Sequence, residues 1–360
     1  MIFTRRSTRA LLLGVCLGMP LASIAQDVRI GVFGLFHPQE LVVSPVAGSA
    51  LVVKAGEQTF VLEKSSGAAE VRVSMSGQML RVETGEGEIR SASLSVTSRN
   101  SGTAEFILAI PGKISRRYRG TLRVEPSARS LRAVVSMDLE TAVASIVAAE
   151  SVPDTPIEAL KAQAVVARSY LVAAKGRHST FDFCDTTHCQ FLRNPPGATS
   201  SIGFAVSETR GLVLMYEAEP VAAMYTRSCG GRTLTPSDVK LPHGGYPYYS
   251  VACKYCRQHP THWDSEIALQ EAAHLEPRNE SARLDIDRLF GWSTVPSNNF
   301  TTQRRGDRVL LQGVGEGHGI GLCQRGAAAM AREGATFRQI LTHYYPNTAV
   351  TALVSKYAMR

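Results

Sequence analysis

Hydrophobic periodicity changes along this chain, and that change constrains its fold more than any other feature. From residue 28 to about 127, apolar and polar residues alternate, as in Glu70-Val-Arg-Val-Ser-Met75 and Ser91-Ala-Ser-Leu-Ser-Val-Thr97. Gly77, Gly85, Gly87 and Asn100-Ser101-Gly102 mark turns between such runs. Period-two alternation interrupted by turns at short intervals specifies a small sandwich or barrel. Near Ser136 the period lengthens. Leu139, Val143, Ile146 and Glu150 recur at helical steps and share one face. Ser151-Val152-Pro153-Asp154 interrupts this helix. A second begins at Thr155-Pro156-Ile157-Glu158, with Thr155 as N-cap, Pro156 in the first turn and Glu158 closing a capping box. Its narrow stripe of Leu160, Ala164, Ala167 and Leu171 allows close helix approach, so the two helices form a hairpin with Glu150 at the bend. Beyond Gly176 come loops and short strands, at 211–216 and 221–225. A polar stretch reaches Trp263, and one or two helices fall within 265–290. A Gly-rich loop then precedes helices over 327–332 and 337–345. The expected class is α+β: a β-rich module over 26–117, then a second domain over 118–360 with a helical hairpin, short strands and long loops.

The first residues read as an export signal over 1–25. Arg5, Arg6 and Arg9 precede the apolar run Ala10 to Met19, and Ser23-Ile24-Ala25 offers a cleavage site. The run is short for a bilayer span, although an uncleaved anchor is the alternative. The expected location is the periplasm, the cell wall or the medium, with no membrane span in the mature chain. Cleavage leaves about 335 residues, room for two or three domains. The net charge of +8 falls to +5 with the leader's three arginines. That mild surplus suits an anionic polymer but selects none. A basic stripe interleaved with aromatics is lacking, and export argues against nucleic acid as a partner.

Three stretches can carry chemistry. Glu150 continues an apolar helical stripe. A carboxyl group held there loses hydration, favours its protonated form and becomes a candidate general acid. The plainer reading is an ordinary carboxylate at a fraying helix end. His178, Cys184, His188 and Cys189 lie within one short segment and match a tetrahedral zinc set. A Cys184–Cys189 disulfide with solvated histidines explains the same residues. The third stretch, from Gly313 to Ala327, places glycines at alternate positions, which permits positive φ and close approach to an anion or a sugar chain. No Gly-Lys-Ser/Thr follows, so it is not a nucleotide loop. His318 and Cys323 invite a nucleophile pair, but nearness in sequence does not establish one. Cys253-Lys-Tyr-Cys256 sits in a loop-like stretch, which favours a disulfide or a stabilising cluster over a redox pair. Cys229 is a candidate further member, with its pairing open.

Together these stretches resemble the stage II sporulation protein D and amidase-enhancer family (SpoIID/LytB). The matching blocks run from Ser145 to Pro153 and on through Glu158 to Tyr170, then Phe183 to Gln190, Ser228 to Thr233, Gly317 to Ala327, and Ile340 to Pro346. The resemblance covers about residues 118–350. It implies a lytic transglycosylase that cuts the MurNAc–GlcNAc bond of peptide-stripped glycan strands and leaves 1,6-anhydro-MurNAc ends. The family's catalytic glutamate falls on Glu150. Pro153 stands one place later than the family's proline, and Glu316 stands where an aromatic often precedes Gly-His-Gly. The resemblance also implies a structural zinc on His178, Cys184, His188 and Cys189. Lys161, Arg168, His318 and Gln324 are the candidate substrate-binding residues. The competing function is a non-catalytic wall-binding protein that enhances a separate amidase partner.

Overall fold

The computed structural model describes residues 27–353, except 64–68, 86, 101, 187 and 243. The export signal expected over 1–25 lies outside the described residues. The class is α+β. The alternating segment folds into two packed sheets. One runs in the order Phe183–Cys184, Asp27–Val32, Ser130–Asp138, Thr121–Ser127, Leu94–Ser98, Leu51–Ala55 and Gln58–Leu62. The other runs Ile114–Arg119, Glu105–Ile110, Glu40–Pro45, Val71–Ser76, Met79–Thr84 and Gly87–Ser91. Period two sets their inner faces. Leu131, Ala133, Val135 and Met137 of one strand are buried, and Val71, Val73, Leu80 and Val82 join the same core from the other sheet. A one-residue slip would turn each set to solvent, so register is strongly specified. The strands continue to Asp138, past the junction expected at 117/118, because Thr121–Ser127 and Ser130–Asp138 pair with Leu94–Ser98 and Asp27–Val32.

Seven α-helices follow among the described residues: α1 (Leu139–Glu150), α2 (Ile157–Ala173), α3 (Ser201–Glu208), α4 (Lys254–Gln258), α5 (Glu280–Phe290), α6 (Gln324–Arg332) and α7 (Phe337–Tyr344). Asp138 ends the last sandwich strand and caps α1, its carboxylate accepting from the N–H groups of Glu140 at 3.0 Å and Thr141 at 3.2 Å. The capping box expected at Thr155 and Glu158 does not form. Pro156 takes the N-cap position in extended conformation, which moves the helix start and leaves Glu158 too early to reach back. Thr155 instead donates to the Val152 carbonyl at 2.7 Å, and Glu158 accepts from the first N–H of α7, Phe337, at 2.7 Å. The box that does form is at α7 itself, between Thr336 and Gln339. Residues 221–224 are not the expected strand, because Ala223 N–H turns back to the Val221 carbonyl.

α2 is buried nearly all round and sits between two cores. Leu160, Ala164, Ala167 and Leu171 face the sandwich side. Ala162, Val165 and Val166 face a second core that contains Tyr248, Ile320, Leu322, Ile340 and Tyr345. A small third core lies between α5 and the sheet of His262–Ala268, Arg308–Val314 and Phe300–Arg305. No helix among the described residues is long and apolar enough to cross a membrane.

Candidate active site and metal centre

Glu150 is the last residue of α1, where the hairpin begins to turn. Burial of its carboxyl group raises the pKa, which favours the protonated form. A hydrogen bond from Phe191 N–H, another from the Tyr225 hydroxyl, and the fields of Arg227 and Arg193 pull the other way without cancelling it. Tyr225 is itself pushed well above the ordinary phenol range, first by burial and then by Glu150, so it remains a donor. Gln324, the first residue of α6, donates from Nε2 to the Glu150 main-chain carbonyl at 3.2 Å and lies 3.5 Å from Gln163 Oε1. It therefore braces the end of α1.

Tyr225 is placed by a short parallel pairing of Tyr225–Thr226 with Leu322–Cys323. The Thr226 hydroxyl ties this segment to the Gly-rich loop, donating to the Glu316 carbonyl at 2.9 Å and accepting from Gly319 N–H at 3.1 Å. Gly315, Gly317, Gly319 and Gly321 all have positive φ, and at Gly321 the Met224 carbonyl occupies the space that a Cβ would need. His318 lies within this loop. Its Nδ1 accepts from Ile320 N–H at 3.0 Å, its ring also bonds to the Tyr225 backbone, and burial lowers its pKa. The ring is thus held neutral and helps to position the loop. Cys323 is fully buried with its sulfur 3.4 Å from that of Cys256, so it is not poised with His318 as a nucleophile.

One further sequence expectation changes. Arg168 does not face a polymer. It is completely buried, and its guanidinium is taken up by Glu140 at 2.6 and 3.0 Å and by the Leu212 carbonyl at 3.0 Å. Lys161 pairs with Glu158 at 2.9 Å and lies over the exposed Phe204 ring. Tyr225, Phe191, Arg193 and Arg227 were not singled out for the acid site. The adjoining stretch from Ser228 to Thr233 stood out for Cys229 and as a family block, which does not extend to Tyr225 or Arg227.

The His/Cys segment forms a compact donor set. His178 Nε2 lies 3.4 Å from Cys189 Sγ, and His188 Nδ1 lies 3.6 Å from both sulfurs. All four ligand atoms fall within 4.8 Å of one another, and both thiols are free. Zinc bonds of about 2.0–2.3 Å in a tetrahedron place ligands about 3.3–3.8 Å apart, so this set fits zinc. The segment is stitched to the sandwich. Phe183–Cys184 runs parallel to Asp27–Val32, Asp182 pairs with Arg29 at 3.2 Å, and Asp185 pairs with Arg116 at 2.9 Å.

Residues 127–216, which hold Glu150, the His/Cys segment and Phe191, match the family model described as SpoIID, stage II sporulation protein. Over this segment the chain resembles the SpoIID/LytB family. It is 25% identical to stage II sporulation protein D of Bacillus subtilis over 63% of this chain and 79% of that protein. An uncharacterised protein of Brachyspira hyodysenteriae is 28% identical over 63% of this chain and 70% of its own length. The amidase enhancer of Bacillus subtilis is 23% identical over 54% of this chain but only 38% of its own length. The family-model match thus takes in the hairpin and the donor set, while the relatives align over a longer stretch.

Proposed function

We propose that this protein is an exported lytic transglycosylase that cuts the MurNAc–GlcNAc bond of peptide-stripped peptidoglycan strands, with Glu150 as acid and then base. Similarity to a sporulation protein and to an amidase enhancer supports a role at the cell wall. The observation that carries the chemistry is the dehydrated Glu150 carboxyl with neutral donors and guanidinium groups around it. Protonated Glu150 gives its proton to the glycosidic oxygen as the bond to C1 breaks and oxocarbenium character develops. The carboxylate left behind is stabilised by Phe191 N–H and the Tyr225 hydroxyl. It then takes the proton of the C6 hydroxyl as that oxygen bonds to C1 of the same MurNAc, which restores the acid. The nucleophile belongs to the substrate, so the second carboxylate of a hydrolase is not required. Arg193 and Arg227 suit the free lactyl carboxylates of stripped strands. Zinc on His178, Cys184, His188 and Cys189 would supply a structural cross-link in the segment leading to Phe191. Four protein ligands leave no open position for water there.

The second reading, a glycan-binding enhancer of an amidase, rests on the relative of that name. Mass analysis of products from denuded strands separates the two. The wild-type protein is expected to release anhydro ends. Glu150→Gln should bind the strands yet lose activity by about 10²–10⁴-fold, the usual worth of general acid–base help. Equal rates from the two proteins would remove Glu150 from the chemistry. A wild type without product that stimulates an amidase would establish the enhancer reading.

A further inference from the structure

Cys229, Cys253, Cys256 and Cys323 come from three separate stretches of chain, and all four are buried. Their sulfurs lie within 4.8 Å of one another, with Cys256 and Cys323 at 3.4 Å. A tetrahedron built on metal–sulfur bonds of about 2.3 Å has edges of about 3.8 Å. We propose that these four thiolates hold a second structural zinc ion, distinct from the His/Cys site.

Three observations carry this. The clustering is fourfold, whereas disulfides would separate the sulfurs into two bonded pairs. The protein also aims donors at the sulfurs. Gly326 N–H, in the first turn of α6, reaches Cys323 Sγ at 3.4 Å; the Ser228 hydroxyl is 3.6 Å from Cys256 Sγ, and the Tyr344 hydroxyl donates to Cys253 Sγ at 3.6 Å. Such donors suit metal-bound thiolates, which carry negative charge, and outer partners of this kind orient metal ligands. Finally, the packing around the cluster excludes a larger residue. A Cβ on Gly326 would run into the Tyr344 hydroxyl and Cys253 Sγ. The ligand set is closed by protein, which makes the site structural. Binding one zinc ion displaces four thiol protons and leaves a tetrathiolate of charge −2, with no change of oxidation state. The ion would tie the segment that follows Tyr225 to α4 and to the start of α6. Cys323 immediately precedes Gln324, which braces Glu150, so the second zinc would stand behind the acid site and position it.

Elemental analysis of the whole mature chain, purified without added metal, tests this. Two zinc ions per chain are expected, with one lost in Cys256→Ser and the other in Cys184→Ser. In cobalt-substituted protein, the thiolate-to-cobalt absorption should fall by about two thirds in Cys256→Ser, because four of six thiolate ligands are lost with a tetrathiolate site. If that variant does not fold, wild type decides alone. Denatured with a chelator but no reductant, it should be alkylated at all six described cysteines. Resistance of Cys229, Cys253, Cys256 and Cys323 to alkylation until reductant is added would show disulfides and overturn the proposal. A single zinc per chain that survives Cys256→Ser would overturn it too. Neither readout involves glycan, so failure of the transglycosylase reading leaves this result standing.

Discussion

At Glu150 the features that would serve catalysis work against stability. The native fold dehydrates the carboxyl group and raises its pKa above that of the unfolded chain. Folded protein therefore binds this proton more tightly than unfolded protein does. The associated stability is present below the unfolded pKa and is lost as pH rises through the folded pKa. Glu150→Gln removes that loss and can still accept from Phe191 N–H and the Tyr225 hydroxyl. Its thermal midpoint should exceed that of wild type at neutral pH, and the gap should close as acid protonates Glu150 in both folded and unfolded wild type. Scanning calorimetry across pH would check this, and a lower midpoint for the variant at every pH would contradict it. Glu150 was legible in the sequence because it continues a stripe set by Leu139, Val143 and Ile146. Tyr225, Arg193 and Arg227 were not, because contacts between distant segments leave no local period to read.

Among the elements, α2 separates what a pattern can reveal from what it hides. The stripe of Leu160, Ala164, Ala167 and Leu171 marks one buried face. The opposite face, with Ala162, Val165 and Val166, is buried as well, and small residues alone do not announce a second partner. Arg168 was misread for this reason, since a cation on a helix thought to be half exposed belongs in solvent. Instead it is sealed in with Glu140, whose carboxylate also accepts Gly211 N–H at 3.1 Å. Removing one member of such a pair leaves a buried charge alone. Arg168→Met should cost about 3–5 kcal/mol of stability, read from urea midpoints. Arg168→Met with Glu140→Leu should recover part of it. A stable single variant with weakened glycan binding would return Arg168 to the substrate. The start of α2 was also misplaced, because proline at the N-cap position displaced the expected box and freed Glu158 for α7.

For the whole molecule, the β-rich module reaches the acid site through packing. Arg116 of the sandwich pairs with Asp185, and its guanidinium lies over the rings of Phe33 and Phe191, at 5.6 and 5.3 Å. Phe191 N–H in turn supports Glu150. Arg116→Ala should lower kcat by up to about 10²-fold, the scale of a small misplacement, with glycan binding retained in a pull-down. An unchanged kcat would show that the module does not position the acid. The alternating strands made the module legible, but its link to Phe183–Cys184 was invisible, since a two-residue strand carries no period. The strands beside α5 were missed because Phe300–Arg305 exposes most of its side chains. That short link also bears on the order of synthesis. Asp27–Val32 is the first described strand to be made, yet its two neighbours in the sheet, Ser130–Asp138 and Phe183–Cys184, come more than a hundred residues later. The sandwich cannot be completed while the chain is still short, so its edge waits for the His/Cys segment. Pairing across such separations slows folding, and a chain interrupted before Cys184 would leave that edge open.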